Sequence, residues 1–222
     1  MSNRVLILRP EPGASATAAK ARTIGLEPVI APLFVVAPMA WAPPPAGLFD
    51  AVMMTSANAA RYGGEAMQHY AHLPLYAVGA ATAAAADTIG LNPERTGQAN
   101  AARLLDQMAS DGVHRVLHLT GQDYVPASHP RIAITRYPVY AAHAIEPPPP
   151  LATDALILIH SPRVGARLAA LIPAEQRLTR SVLAISAAAS EAAGGGWRSN
   201  HHIDQPLDDA LLARAAELCK AL

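Results

Sequence analysis

Short apolar runs alternate with alanine-rich stretches along the chain, and this alternation constrains the fold more than any other feature. The runs read as strands at residues 4–8, 28–31, 51–54, 75–78, 116–119, 132–136, 155–159 and 182–185. The stretches between them read as helices starting near Gly13, Ser56, Gly79, Ala99, Ser161, Ser186 and Pro206. Strands separated by helices of this length pair in parallel and are covered on both faces. The run Leu156-Ile157-Leu158-Ile159 has no polar side, as a strand buried on both faces requires. The expected class is therefore α/β with parallel sheets.

The chain also repeats itself. Phe49-Asp50-Ala51-Val52-Met53-Met54-Thr55-Ser56 resembles Thr153-Asp154-Ala155-Leu156-Ile157-Leu158-Ile159-His160-Ser161. Leu75-Tyr76-Ala77-Val78-Gly79 resembles Val182-Leu183-Ala184-Ile185-Ser186, and Arg4-Val5-Leu6-Ile7-Leu8 resembles Arg115-Val116-Leu117-His118-Leu119. The three pairs lie at nearly the same separation, which favours a duplicated unit over two unrelated halves. Two proline-punctuated segments, one at Pro32 to Pro38 and one from Tyr137 to Glu146, read as extended crossovers. The expected division is residues 1–34 with 146–222 in one discontinuous lobe and 39–137 in the other. Residues 35–38 and 138–145 are then the connectors, forming a double hinge.

Charge narrows the partners. Lys plus Arg equals Asp plus Glu at 17 each, so no net field draws in nucleic acid or an acidic membrane surface. Any anion must be met by local arginines or by backbone N–H groups at helix starts. No apolar stretch approaches the roughly 20 residues of a membrane span, and the run at 5–8 is too short for a signal-peptide core. A single cysteine, Cys219, makes no intrachain disulfide, and a cytoplasmic location is expected.

The candidate site residues lie where strands turn into helices. Thr55-Ser56-Ala57-Asn58 follows one strand and Ser161-Pro162-Arg163 follows its repeat; Ser, Thr and Asn cap helices, and proline suits the first helical position. Capping alone accounts for these residues. Their recurrence in both halves, at the strand ends where α/β proteins bind ligands, adds a binding reading. Gly79 in Val78-Gly79-Ala80-Ala81-Thr82 permits close ligand approach, with Thr82 beside it. Arg9, after the first strand, suits a forked contact to a carboxylate as well as it suits plain solvent exposure. Tyr140 lies in the return connector, where a phenol can donate a hydrogen bond or simply pack. The nine histidines are scattered, no HExxH occurs, and one cysteine cannot build a thiolate cage, so no metal is expected. GxGxxG opening a helix, GxxxxGK[ST] and GxSxG are all absent, which argues against dinucleotide, triphosphate and serine-hydrolase chemistry.

The turns Thr55 to Ala59 and Val78 to Ala83, the opening Val5-Leu6-Ile7-Leu8-Arg9-Pro10 and the connector Pro138-Val139-Tyr140 resemble the uroporphyrinogen-III synthase family, as do Gly97 to Asn100 and the ending Pro206 to Leu212. The order and spacing match over essentially the whole chain. The resemblance implies two flavodoxin-like lobes joined by a two-stranded connector, with the active site in the cleft. It implies a cofactor-free hydro-lyase: linear hydroxymethylbilane loses water, ring D is inverted, and the macrocycle closes to uroporphyrinogen III in heme biosynthesis. Tyr140 matches the cleft tyrosine that assists the leaving group. Thr55, Ser56, Gly79, Thr82, Ser161 and Ser186 match substrate-lining turns, and Arg9, Asn58 and Arg163 are added as binding candidates. One departure stands out: Ala189 occupies a position that usually carries threonine, so either Ser186 or Ser190 replaces its hydroxyl or that hydroxyl is not essential. The expected partner is the small-molecule substrate, with hand-over from hydroxymethylbilane synthase, and the expected state is a monomer. A two-lobed cytosolic sensor of small anions, without catalysis, is the competing expectation.

Overall fold

In the computed structural model, residues 3–97 and 100–221 are described. The expected helix start near Ala99, with the Gln98-Ala99 part of its motif, lies outside them. The strands are β1 (Arg4–Ile7), β2 (Glu27–Ile30), β3 (Phe34–Pro38), β4 (Ala51–Met54), β5 (Leu75–Val78), β6 (Pro93–Gly97), β7 (Arg115–Gly121), β8 (Ala133–Ala144), β9 (Leu156–Ile159), β10 (Ser181–Ala184) and β11 (Ser199–His202). The helices are α1 (Gly13–Thr23), α2 (Ala57–Tyr62), α3 (Ala80–Asp87), α4 (Ala101–Ser110), α5 (Pro162–Leu171), α6 (Ala174–Arg177), α7 (Ala187–Ala192) and α8 (Asp208–Ala221), with short 3-10 turns at Ala46–Leu48 and Glu65–Tyr70.

The chain divides into two compact units, Met1–Val35 with His143–Leu222 (unit 1) and Val36–Ala142 (unit 2). Unit 1 holds a sheet in the order β11-β10-β9-β1-β2, with every pair parallel. Counted in chain order within the unit this is 2-1-3-4-5, the flavodoxin-like order. Unit 2 holds the order β3-β8-β7-β4-β5-β6, and from β8 to β6 the pairs are parallel. Its β8-β7-β4-β5-β6 arrangement repeats β2-β1-β9-β10-β11. The difference is connectivity: the pair β7–β8 comes last in unit 2, whereas its counterpart β1–β2 comes first in unit 1.

Alternating residues explain why both faces of each central strand are apolar. In unit 2, Val52, Met54, Leu117 and Leu119 pack toward Ala59, Ala60, Ala85 and Ala86 of α2 and α3. Ala51, Met53, Tyr76 and Val116 pack instead toward Leu104, Leu105 and Met108 of α4. In unit 1, Val5, Ile7, Leu156, Leu158 and Leu183 face α1 and α8 through Ala14, Ala18, Leu211 and Leu212. Each fully buried aliphatic side chain stabilises its unit by about 1.5–3 kcal/mol.

Two strands escape the apolar-run criterion: β6 (Pro-Glu-Arg-Thr-Gly) and β11 (Ser-Asn-His-His), both edge strands. β3 (Phe-Val-Val-Ala-Pro) is an apolar edge strand whose flanking prolines give the connector reading. An edge strand is covered on fewer sides and needs no continuous apolar run. β8 is also far longer than the expected 132–136, because it continues through Tyr137 to Ala144. Pro138 within it has no N–H to give the ladder. The β7–β8 register runs Thr120↔Pro138 and then Gly121↔Tyr140, a bulge that takes up Val139. Proline in a sheet favours such irregularities, and a bulge re-aims the side chain that follows it.

Candidate functional site

In sheets of this order, ligands bind outside the carboxyl ends of the strands where the strand order reverses. That point lies between β4 and β7 in unit 2 and between β1 and β9 in unit 1.

In unit 2 the point opens into a pocket of about 710 Å³. Thr55 and Ser56 from the end of β4, Thr120 from β7, Tyr140 from β8, Asn100 before α4 and the loop from Asp123 to Ser128 line it. Ser56 is the N-cap of α2, its Oγ accepting the Asn58 N–H at 3.2 Å. Asn100 caps α4 by accepting the Arg103 N–H at 3.0 Å. The bulge sets Tyr140 opposite Gly121, and a Cβ on Gly121 would lie 2.7 Å from Tyr140 Cζ. Only glycine lets the ring lie there. Tyr62 packs on the ring from another side, with centroids 6.4 Å apart, and the Gln122 N–H donates to the Tyr140 carbonyl at 2.8 Å. Tyr140 is thus held by strand register, a close glycine and a second aromatic.

Below the pocket is His118, 2% exposed in β7. Its Nε2 lies 3.2 Å from Thr55 Oγ1, and its buried Nδ1 meets no partner among the described residues. Burial, helped by the positive charge of Arg136, pushes its pKa from 6.5 down to about 4, so the ring is neutral at physiological pH. The Tyr124 ring meets the imidazole edge-on at 6.3 Å. Arg136 lies over the Tyr124 ring at 5.5 Å and donates to the Ala127 carbonyl, tying down the pocket loop.

In unit 1 the corresponding point is occupied by a charged network. His160 Nε2 lies 3.1 Å from Asp208 Oδ1, and Thr17 Oγ1 lies 3.0 Å from both Asp208 oxygens. Arg9 reaches Thr17 Oγ1 at 3.2 Å and Asp208 Oδ1 at 3.4 Å. Burial acts to raise the Asp208 pKa, but the hydrogen bonds from His160 and Thr17 outweigh it and hold the carboxyl below its ordinary value. Burial lowers the His160 pKa against the pull of Asp208.

The structure therefore gathers three expected residues, Tyr140, Thr55 and Ser56, around one pocket. The others have their own engagements. Arg9, expected to grip a carboxylate of a ligand, already holds Asp208. Asn58 accepts from Arg61 at 3.1 Å. Gly79 adopts φ 80°, which requires glycine, and neither it nor Thr82, buried in the first turn of α3, lines the pocket. Ser161 and Ser186 cap α5 and α7, each accepting an N–H at 3.3 Å, from Val164 and Ala189 respectively. The Arg163 guanidinium lies over the Phe34 ring at 4.7 Å. Of the two hydroxyls considered as substitutes at Ala189, that of Ser190 is engaged with Asn200 Oδ1 at 2.8 Å. His118 and His160 were missed from the sequence. The signal was there: each interrupts or ends a run that is otherwise wholly apolar, and a buried polar residue in such a run is informative.

Chemically, the unit 2 pocket offers neutral hydroxyls, the two phenols of Tyr124 and Tyr140, and an amide, with Asp123 as the one carboxylate among its lining residues. It suits hydrogen-bond donation and positioning. No group of His, Cys, Asp and Glu among the described residues has the arrangement of a metal site. No helix among them is long and apolar enough to cross a membrane.

Comparison with known proteins bears on the fold and the family. The uroporphyrinogen-III synthetase of Helicobacter pylori 26695 superposes with a TM-score of 0.65 at 12% identity, covering 98% of this chain and all (100%) of that one. A mutant uroporphyrinogen III synthase from the extremely thermophilic bacterium Thermus thermophilus gives 0.50 at 15% identity, covering 97% and 99%. At such identities these likenesses show the fold. No curated sequence matches. The family profile described as uroporphyrinogen-III synthase HemD matches residues 15–213, most of the chain, and on that match the chain belongs to the uroporphyrinogen-III synthase family, whose members are enzymes of heme biosynthesis.

Proposed function

We propose that the chain, as a uroporphyrinogen-III synthase, works as a cofactor-free hydro-lyase whose bond-breaking step takes place at the unit 2 pocket. Hydroxymethylbilane loses its terminal hydroxyl as water, ring D is inverted, and the ring closes to uroporphyrinogen III. The observation that carries this reading is the convergence of Tyr140, Thr55 and Ser56 on one 710 Å³ pocket at the sheet's switch point.

The reaction asks little acid–base power of the protein. A hydroxyl must leave, and a donor that bonds to it as negative charge develops lowers the barrier without having to surrender a full proton first. Tyr140 supplies that donor. Its ring is fixed by Gly121 and Tyr62, so little entropy is lost when the hydrogen bond forms. The substrate also carries an acetate and a propionate on each pyrrole ring. Arg9, Asn58, Gly79, Thr82, Ser161, Arg163 and Ser186 remain our candidates for holding these carboxylates through side chains and backbone N–H groups. α2 and α7 have only six residues each, so local hydrogen bonds must supply more of that grip than helix dipoles do. A reducing cytoplasm suits the single buried cysteine.

The test is a coupled assay. Hydroxymethylbilane is generated in place by its synthase, the protein is added, and the oxidised porphyrin isomers are separated. Predominantly type III isomer is expected. Type I isomer alone, from folded protein, would overturn the reading.

A further inference from the structure

β7 reads Arg-Val-Leu-His-Leu-Thr-Gly, and every residue after Arg115 is buried. His118 pairs in register with Met53 of β4, two residues before Thr55. A leucine at position 118 would fill a core strand without leaving a polar atom short of a partner. The imidazole instead buries an unmatched Nδ1, a defect that packing alone does not justify. Its one hydrogen-bond partner, Thr55, faces the pocket.

We propose that His118 is a positioning residue for the cyclisation: it donates from Nε2 to Thr55 Oγ1 and so turns the threonine's own proton toward the occupant of the unit 2 pocket. This rests on the reading of that pocket given above. The tautomer follows from what each choice leaves unmatched. A neutral imidazole has one N–H. Placed on Nε2, it is satisfied by Thr55, and the unmatched atom is a bare Nδ1. Placed on Nδ1, it would be a buried N–H with no acceptor, the rarer defect in folded proteins, and Thr55 would donate its proton to Nε2. The groups facing the ring support the neutral form: Thr55 just past β4, Tyr124 from the loop, and Arg136 from β8, whose positive charge disfavours a second proton.

The consequence is a second oriented donor beside Tyr140. A hydroxyl oxygen that already accepts a hydrogen bond donates more strongly itself. Fixed in direction, it needs no reorganisation as charge develops on the leaving oxygen. Neither Thr55 nor Tyr140 then acts alone.

The test is a double-mutant cycle in the coupled assay, with His118→Phe, Thr55→Val, the pair, and His118→Gln, whose amide can replace the Nε2–H. Each single apolar change should lower kcat by about tenfold while KM moves by less than about twofold, the signature of an interaction made in the transition state. The pair should be no worse than Thr55→Val alone, and His118→Gln should recover most of the loss. Multiplying effects, or a glutamine variant as poor as the phenylalanine one, would overturn the proposal. Ring 15N shifts of wild-type His118 decide it even if the variants fold poorly: protonated Nε2 is expected, and protonated Nδ1 would overturn it. The wild-type isomer distribution reports on the function reading separately, because type I product alone would sink that reading and leave the tautomer measurement standing.

Discussion

The two units resemble each other at one end of their sheets and differ at the other. At the strand starts, Arg115 pairs with Asp50 across β7 and β4 at 2.6 Å, and Arg4 pairs with Asp154 across β1 and β9 at 2.5 Å. These are the residues the internal repeat aligns, and the same ion pair closes the same strand pair twice. At the strand ends each unit buries a histidine whose Nε2 has a partner. Here the chemistry diverges. In unit 1 the partner is Asp208, itself gripped by Thr17 and Arg9. In unit 2 it is the neutral hydroxyl of Thr55, at the wall of a pocket. The shared end is framework, and the divergent end shows how one sheet order yields a charge-locked turn in one unit and an open, donor-lined one in the other. Fold places the site, and the residues just past the strands decide what it does.

That contrast can be broken most severely in unit 1. Asp208→Ala removes the acceptor shared by His160, Thr17 and Arg9, leaving buried donors unmatched. Chemical denaturation should show a loss of about 3–4 kcal/mol, at the lower end for a buried charge network because Asp208 keeps some exposure. By contrast, His118→Phe in unit 2 should cost little or no stability, since it also removes an unmatched polar atom.

Acid should sharpen the comparison. His118 binds a proton at about pH 4 in the folded protein but at 6.5 when unfolded, so in that window the unfolded chain takes up the proton first. This contribution is complete above pH 6.5 and drains away as the pH falls toward 4, by at most about 3 kcal/mol. His160 is shifted in the same direction and adds to the slope. Stability measured against pH should fall less steeply in His118→Phe, and an unchanged slope would contradict the neutral buried ring.

The smallest effects belong to the shared end. Asp50 also accepts the backbone N–H groups of Arg115 and His114, at 2.9 and 3.1 Å, and the Arg115 side chain together with these bonds lowers its pKa to about 2. Asp50→Asn should cost about 1 kcal/mol and Asp154→Asn less, because a solvent-exposed ion pair alone contributes little. The reverse order in thermal unfolding would break the assigned equivalence.

The central strands and the repeat were legible because a strand buried on both faces must be apolar throughout, as β4 and β9 are. The edges were not: Pro-Glu-Arg-Thr-Gly and Ser-Asn-His-His carry no such run, and only pairing to β5 and β10 makes them strands. Tyr140 could be singled out from its connector, but not the bulge at Pro138 or the bare Gly121 that fix its ring, since those depend on register with a distant strand. Ser56 and Ser161 were readable as caps from local sequence alone. The engagement of Arg9 with Asp208 was not readable, because those residues stand far apart along the chain and meet only when α1, β1 and α8 pack together.

The most direct measurement is kcat and KM of Tyr140→Phe with freshly generated hydroxymethylbilane. If the unit 2 pocket assists the leaving hydroxyl through this phenol, kcat should fall by about tenfold or more with KM nearly unchanged, while the ring and its packing on Gly121 and Tyr62 survive. An unchanged kcat, or a loss appearing only in KM, would place the assistance elsewhere.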